Sequence, residues 1–159
     1  MRTIHLPLVL LPLVLVTPAA ALPPPLGFSL ETAASAAPGG AAARLTAVTS
    51  CWIDGDVEAE ARLGLGSADR PGGRGADAVI PALGLRWGPD LGRWRPRLGF
   101  EAGVRLPLAG RALAPTAAVR LGFELFARRD LSLTVATAWR WTSGAPSGAE
   151  AVVGLGYYP

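Results

Sequence analysis

The feature that most constrains this chain is a period of two in its apolar residues, sustained from Phe28 to Tyr157 in segments of about 8 to 12 residues. Successive side chains of a strand point to opposite faces, so this period predicts strands with one apolar and one polar face. Leu98, Phe100, Ala102, Val104 and Leu106 oppose Gly99, Glu101, Gly103 and Arg105. Ala117, Val119, Leu121, Phe123 and Leu125 oppose Ala118, Arg120, Gly122 and Glu124. Leu131, Leu133, Val135, Thr137, Trp139 and Trp141 oppose Ser132, Thr134, Ala136, Ala138, Arg140 and Thr142.

Earlier in the chain, Val57, Ala59, Ala61, Leu63 and Leu65 oppose Glu58, Glu60, Arg62, Gly64 and Gly66, and Val79, Leu83, Leu85 and Trp87 oppose Gly84 and Arg86. The last segment sets Ala151, Val153, Leu155 and Tyr157 against Glu150, Val152, Gly154 and Gly156. Two alanine-blurred segments, Phe28 to Ala36 and Ala42 to Ile53, bring the count to about eight. Gly122, inside the best helical candidate, and apolar residues at every second position oppose a helix there.

Turn chemistry separates the segments: Pro38-Gly39-Gly40, Asp54-Gly55, the stretch Ser67 to Ala76, Gly88-Pro89-Asp90, Ala109-Gly110, Arg129-Asp130, and Ser143 to Gly148. Asp54-Gly55 is a tight-hairpin signal. With the N-terminus on the periplasmic side of a barrel, Asp54-Gly55 and Arg128 to Asp130 supply the short connections expected there, whereas Gly88 to Pro96 is long for that side.

Alternation does not say which face meets water, because a soluble sandwich or lipocalin-like barrel has the same period with its apolar face inward. The polar face decides. Every glutamate (Glu31, Glu58, Glu60, Glu101, Glu124, Glu150) falls in a predicted strand, and every aspartate (Asp54, Asp56, Asp69, Asp77, Asp90, Asp130) falls at a turn or strand end. The glutamates share their face with Arg62, Arg86, Arg105, Arg120 and Arg140, and with many glycines. Glycine weakens a strand and packs nothing against solvent, but inside a narrow barrel small neighbours make room for long charged side chains. Buried charges must be paired, and Glu and Arg in near-equal number supply the pairs. The expectation is a lumen charge network of Glu58, Glu60, Arg62, Arg86, Glu101, Arg105, Arg120, Glu124, Arg140 and Glu150. Aromatic residues at strand ends or near turns, Trp87, Trp94, Trp139, Trp141, Tyr157 and Tyr158, are expected at the membrane interface, with Trp52 also near a turn.

With 159 residues there is room for one domain. Residues 1 to 21 read as a secretory signal peptide: Arg2, an apolar run from Ile4 to Val16, and Ala19-Ala20-Ala21 before the expected cleavage. The apolar run is short for a membrane span and contains Pro7 and Pro12. A Pro-rich spacer covers 22 to 26, and the barrel 27 to 159. Without the leader the chain keeps 14 Arg against 12 acids, too close to balance for nucleic-acid binding.

Cys51 is the only cysteine, so it forms no internal disulfide and no thiolate-rich metal site, and it lies too far from the cleavage site for a lipoprotein anchor. His5, the only histidine, belongs to the leader, which leaves no imidazole for a Ser-His dyad or metal site. No enzyme activity, no metal and no cofactor are expected. Arg93, Trp94, Arg95 and Arg97 form a basic aromatic cluster that reads as interface anchoring of a turn, with lipid phosphate as the sharper alternative. The loop Ser67 to Ala76 reads as solvated.

The pattern as a whole resembles the small eight-stranded outer-membrane proteins, the OmpX-like group and the transmembrane domain of OmpA, across the mature region. Its most specific piece is Val153-Gly154-Leu155-Gly156-Tyr157-Tyr158, which resembles the aromatic-ended signal recognised by the barrel-assembly machinery; Pro159 departs from it, since such signals end on the aromatic. The fold expected is all-β, a closed antiparallel up-and-down transmembrane β-barrel of about eight strands. The resemblance implies a monomer in the bacterial outer membrane, with lipids and the assembly machinery as partners, a structural or surface-interaction role, and a lumen plugged by Glu/Arg pairs. Small barrels that are enzymes, such as the lipid A palmitoyltransferase, rely on a histidine that this mature chain lacks. The alternatives are a soluble periplasmic or secreted β-barrel binding a small apolar ligand, and a narrow channel.

Overall fold

The computed structural model describes residues 26–37, 40–70, 73–109 and 112–159. The expected leader, and the spacer up to residue 25, lie outside the described residues. Eight strands follow in order: β1 (Leu26–Ala37), β2 (Gly40–Asp54), β3 (Val57–Arg70), β4 (Gly73–Trp87), β5 (Trp94–Pro107), β6 (Ala114–Phe126), β7 (Leu131–Thr142) and β8 (Ala145–Tyr157). Each pairs antiparallel with its neighbour in sequence, and β8 pairs with β1, so the sheet closes as an up-and-down barrel.

Closure leaves no unpaired sheet edge, which is the property that lets a β-structure exist where water cannot satisfy the backbone. The register aligns like with like. Leu30 lies opposite Leu155 across the closing seam and Leu98 lies opposite Leu121, while on the other face Glu60 pairs with Gly84 and Glu31 with Gly154. Long charged side chains thus face glycine partners across the strands, in agreement with the spatial reason for glycine on the polar face.

Two expected loops are shorter than the sequence suggests. The stretch Ser67 to Ala76 is mostly paired strand: Ser67 lies opposite Ala76, Ala68 opposite Gly75, Asp69 opposite Arg74 and Arg70 opposite Gly73. Its Pro- and Gly-containing sequence signals a turn locally, but pairing across the hairpin satisfies the backbone of its described residues, and that pairing is set by register, not composition. The register shifts at Gly66/Ser67, where Ala78 and Ala76 are the successive partners and Asp77 is the extra residue of the bulge. Asp77 is therefore inside a strand and buried, in contrast to the expectation that every aspartate occupies a turn or strand end.

The connection expected over Gly88 to Pro96 occupies only 88–93, because β5 begins at Trp94. Gly92 adopts φ 81°, a left-handed conformation that favours glycine, and its N–H donates to Asp90 Oδ1 at 2.9 Å. Gly144, in the two-residue connection between β7 and β8, has φ 75°. Asp54 Oδ1 accepts the Gly55 N–H at 2.7 Å in the tight hairpin between β2 and β3.

The barrel has its polar face inside. Among the described residues the buried apolar side chains are Ala33, Val48, Ala78, Ala118, Ala138 and Val152, none larger than valine. Glu58, Glu124, Arg62 and Arg97 are buried, while Leu83, Leu121, Phe123 and Leu155 are exposed on the outer surface. A water-soluble barrel inverts this arrangement.

Candidate functional site

The site is the lumen, built by alternate residues of all eight strands. We call the end where β1 begins and β8 finishes the terminal end, and the opposite end distal. Near the terminal end Glu58, from β3 and fully buried, pairs with Arg86 of β4 and with Arg97 of β5 at 3.1 Å. Arg97 reaches Glu124 of β6 at 2.6 Å. Glu124 also accepts hydrogen bonds from the Ser132 and Tyr158 hydroxyls, both at 2.7 Å.

Further along the axis, Arg86 Nε approaches Glu60 at 3.3 Å and Arg62 Nη1 donates to Glu60 at 2.7 Å. Arg62 also pairs with Glu31 and, at 3.0 Å, with Glu101. Glu31 takes Arg120 at 2.9 Å, and Glu101 takes Arg140. Arg140 and Arg44 then share Glu150 at 3.0 and 2.8 Å.

These contacts form one connected network in which Glu31, Glu58, Glu60, Glu101, Glu124 and Glu150 alternate with Arg44, Arg62, Arg86, Arg97, Arg120 and Arg140. Its formal charge is zero. Taking each ion out of water costs roughly several kcal/mol, which the arrangement offsets by giving every charge a partner of opposite sign and most of them two or more. Every glutamate of the chain is in it.

Of the sequence-predicted lumen residues, Glu58, Glu60, Arg62, Arg86, Glu101, Arg120, Glu124, Arg140 and Glu150 lie in this network. Arg105 does not: it pairs at 2.6 Å with Asp77, the bulged residue. Arg44 and Arg97 belong to the network without having been singled out for it. Sequence proximity groups Arg97 with Arg93, Trp94 and Arg95 as a surface cluster, but it shares the parity of Gly99 and Glu101 and is buried in the lumen. The period of two contained that answer; sequence proximity obscured it.

Tyr158 is also placed differently from the expected interface position. Its hydroxyl accepts from Arg86 Nη2 at 2.9 Å while donating to Glu124, and its ring lies 5.5 Å from that of Phe126. Alternation after the outward Tyr157 sends residue 158 inward. A Cβ on Gly27 would come within 2.6 Å of the Tyr158 ring, so the absent side chain there makes space for it.

Beside it, the Arg95 guanidinium lies 4.5 Å from the Phe126 ring centre and 5.3 Å from that of Trp52. Arg97 stands 5.3 Å from the same indole, so Trp52 too is engaged with lumen cations and not with the outer surface. Arg95 donates to Asp90 at 2.7 Å, and that hydrogen bond, with the Gly92 N–H, holds the Asp90 carboxyl below its ordinary range.

The remaining aromatics point outward. Trp87, Trp94 and Tyr157 stand around the terminal end, and Trp139 and Trp141 stand towards the distal end of β7. Among the described residues no group of three His, Cys, Asp or Glu side chains is placed to hold a metal.

A closed eight-stranded barrel with a charged interior and an apolar exterior defines the class as the transmembrane β-barrel fold, and solved structures of that fold superpose on it. The crystal structure of Neisserial surface protein A matches with TM-score 0.64 and 12% identity, over 83% of this chain and 96% of that one. The N-terminal β-barrel domain of Pseudomonas aeruginosa OprF matches with TM-score 0.58 and 12% identity, over 84% and 96%. A de novo designed transmembrane β-barrel matches with TM-score 0.59 and 12% identity, over 87% and 98%. No protein-family profile and no curated protein sequence matches the chain. At this identity the likeness is one of fold.

Proposed function

We propose that the chain is an integral protein of the bacterial outer membrane, exported by its leader, with a structural role in the envelope and a lumen plugged by its Glu/Arg network. The observation that carries this reading is the inverted distribution of polarity: a continuous ion-pair network runs through the interior, and large apolar side chains cover the exterior. Lipid satisfies that exterior and water does not. The outward Trp and Tyr residues at the two ends suit the interfacial layers, where an amphipathic ring has one wet and one apolar side. Val153 to Tyr158, the end of β8 with the residue that follows it, is the segment offered to an assembly machinery during insertion.

A soluble barrel binding an apolar ligand is disfavoured because the lumen is lined by charged side chains. A role in surface interaction through long loops is disfavoured as well. At the distal end β1 and β2 are paired up to Ala37 and Gly40, and β3 and β4 up to Arg70 and Gly73, so the described chain there is ladder and not loop. Chemistry by a free carboxylate is disfavoured because each glutamate is committed to arginine.

Cell fractionation tests the proposal. The protein is expected in the outer-membrane fraction, extractable only with detergent, and to change gel mobility on boiling as a folded membrane barrel does. Recovery from the periplasm without detergent, with mobility unaffected by boiling, would overturn it.

A further inference from the structure

At mid-barrel the lumen holds a cavity of about 20 Å³, lined by Glu31, Glu60, Arg97, Gly99, Glu101 and Arg120 among others. Four buried polar atoms of these lining residues carry no hydrogen bond: Arg97 Nη1, Arg120 Nε, Glu60 Oε1 and Glu101 Oε2. Glu60 Oε1 lies 3.3 Å from Arg86 Nε and Glu101 Oε2 lies 3.0 Å from Arg62 Nε, so both oxygens are near a cation yet retain hydrogen-bonding capacity. We infer that this cavity is a binding site for one ordered water molecule, held by the two arginine N–H groups and the two glutamate oxygens.

Size and valence both select water. A polar cavity of roughly 10–15 Å³ or more admits a water and needs two to four polar partners to hold it. Two donors and two acceptors are the complement of a water's two lone pairs and two hydrogens. An anion fits the arginines but meets the glutamates, and it brings a charge into a network that is already neutral. A cation meets the arginines. The neutral molecule uses all four atoms and repels none, and it joins Arg97 and Arg120 to Glu60 and Glu101 across the centre of the plug. Nothing in this inference depends on where the barrel resides.

Gly99 provides the test. A Cβ there would stand 3.5 Å from Arg120 Cβ and 3.7 Å from the Leu85 carbonyl oxygen, which is ordinary contact, so Gly99→Ala is accommodated and its methyl takes up part of the cavity. Crystals of the detergent-solubilised barrel grown in sodium bromide are expected to show a peak within hydrogen-bond distance of Arg97 Nη1 and Arg120 Nε, with no anomalous signal at the bromine edge. In Gly99→Ala, still heat-modifiable in gel mobility, that peak is expected to be lost. A bromine signal at the site, no peak in the parent protein, or a peak that persists unchanged in folded Gly99→Ala would each overturn the assignment. If Gly99→Ala fails to fold, the parent crystals alone decide between water, anion and a dry cavity.

Discussion

Glu58 shows how the lumen works at the scale of one residue. It is fully buried and is shared by Arg86 and Arg97, which in turn lean on Glu60 and Glu124. Removing its charge leaves the two arginines with one negative partner fewer in an interior closed to bulk water. Breaking a buried pair from one side costs about 3–5 kcal/mol. Glu58→Gln is therefore expected to lower stability by about that amount, read as an earlier midpoint with unchanged slope in urea unfolding of the refolded barrel. A change below about 0.5 kcal/mol is the signature of a solvated surface substitution, and would mean that bulk water hydrates the Arg86–Glu58–Arg97 cluster. Sequence alone foretold Glu58 as a lumen charge because its neighbours Val57 and Ala59 are apolar and Glu60 and Arg62 follow at the same parity. It did not foretell the partners, since Glu58 and Arg97 come from different hairpins and meet only when the barrel closes.

Strands and turns were legible to different degrees. All eight strands appear in the alternation, and β7 (Leu131–Thr142) has the bounds that the pattern predicts. The faint segments β1 and β2 are strands too, although alanine, small on either face, blurs their alternation. What composition could not give was the length of β3 and β4, where small and turn-forming residues continue a ladder, or the bulge that turns Asp77 inward. Packing between elements adds a constraint visible only in the structure. Gly122 of β6 lies beside β7 so closely that a Cβ would come within 2.4 Å of Ala136 Cβ and of the Val135 carbonyl oxygen. Backbone cannot swing aside as a long side chain can. Gly122→Ala is expected to cost about 1–3 kcal/mol by overpacking the β6–β7 seam, measured as a lower midpoint in the same urea titration. Equal stability of Gly122→Ala and the parent would show that the two strands separate freely at this point.

At the scale of the whole molecule, the inverted polarity makes a prediction that a water-soluble barrel of the same topology does not share. Leu121 lies in the middle of β6, is 67% exposed, and pairs with Leu98 and Thr137 on the outer face. If lipid surrounds that face, an arginine there carries its charge to the depth where transfer costs about 2–4 kcal/mol. If water surrounds it, the guanidinium stays hydrated and the substitution changes stability by no more than about 0.5 kcal/mol. Leu131, at the first position of β7 beside the terminal end, is the internal control: in a bilayer the cost there falls to about 0–1 kcal/mol. Leu121→Arg is thus expected to destabilise the barrel refolded in phospholipid vesicles by several times as much as Leu131→Arg, because depth, and not exposure alone, sets the cost. Equal and negligible effects at the two positions would place the outer face in water. The lumen network would then require another explanation, since a barrel solvated outside gains nothing from exposing Leu83, Leu121 and Leu155 while burying its glutamates.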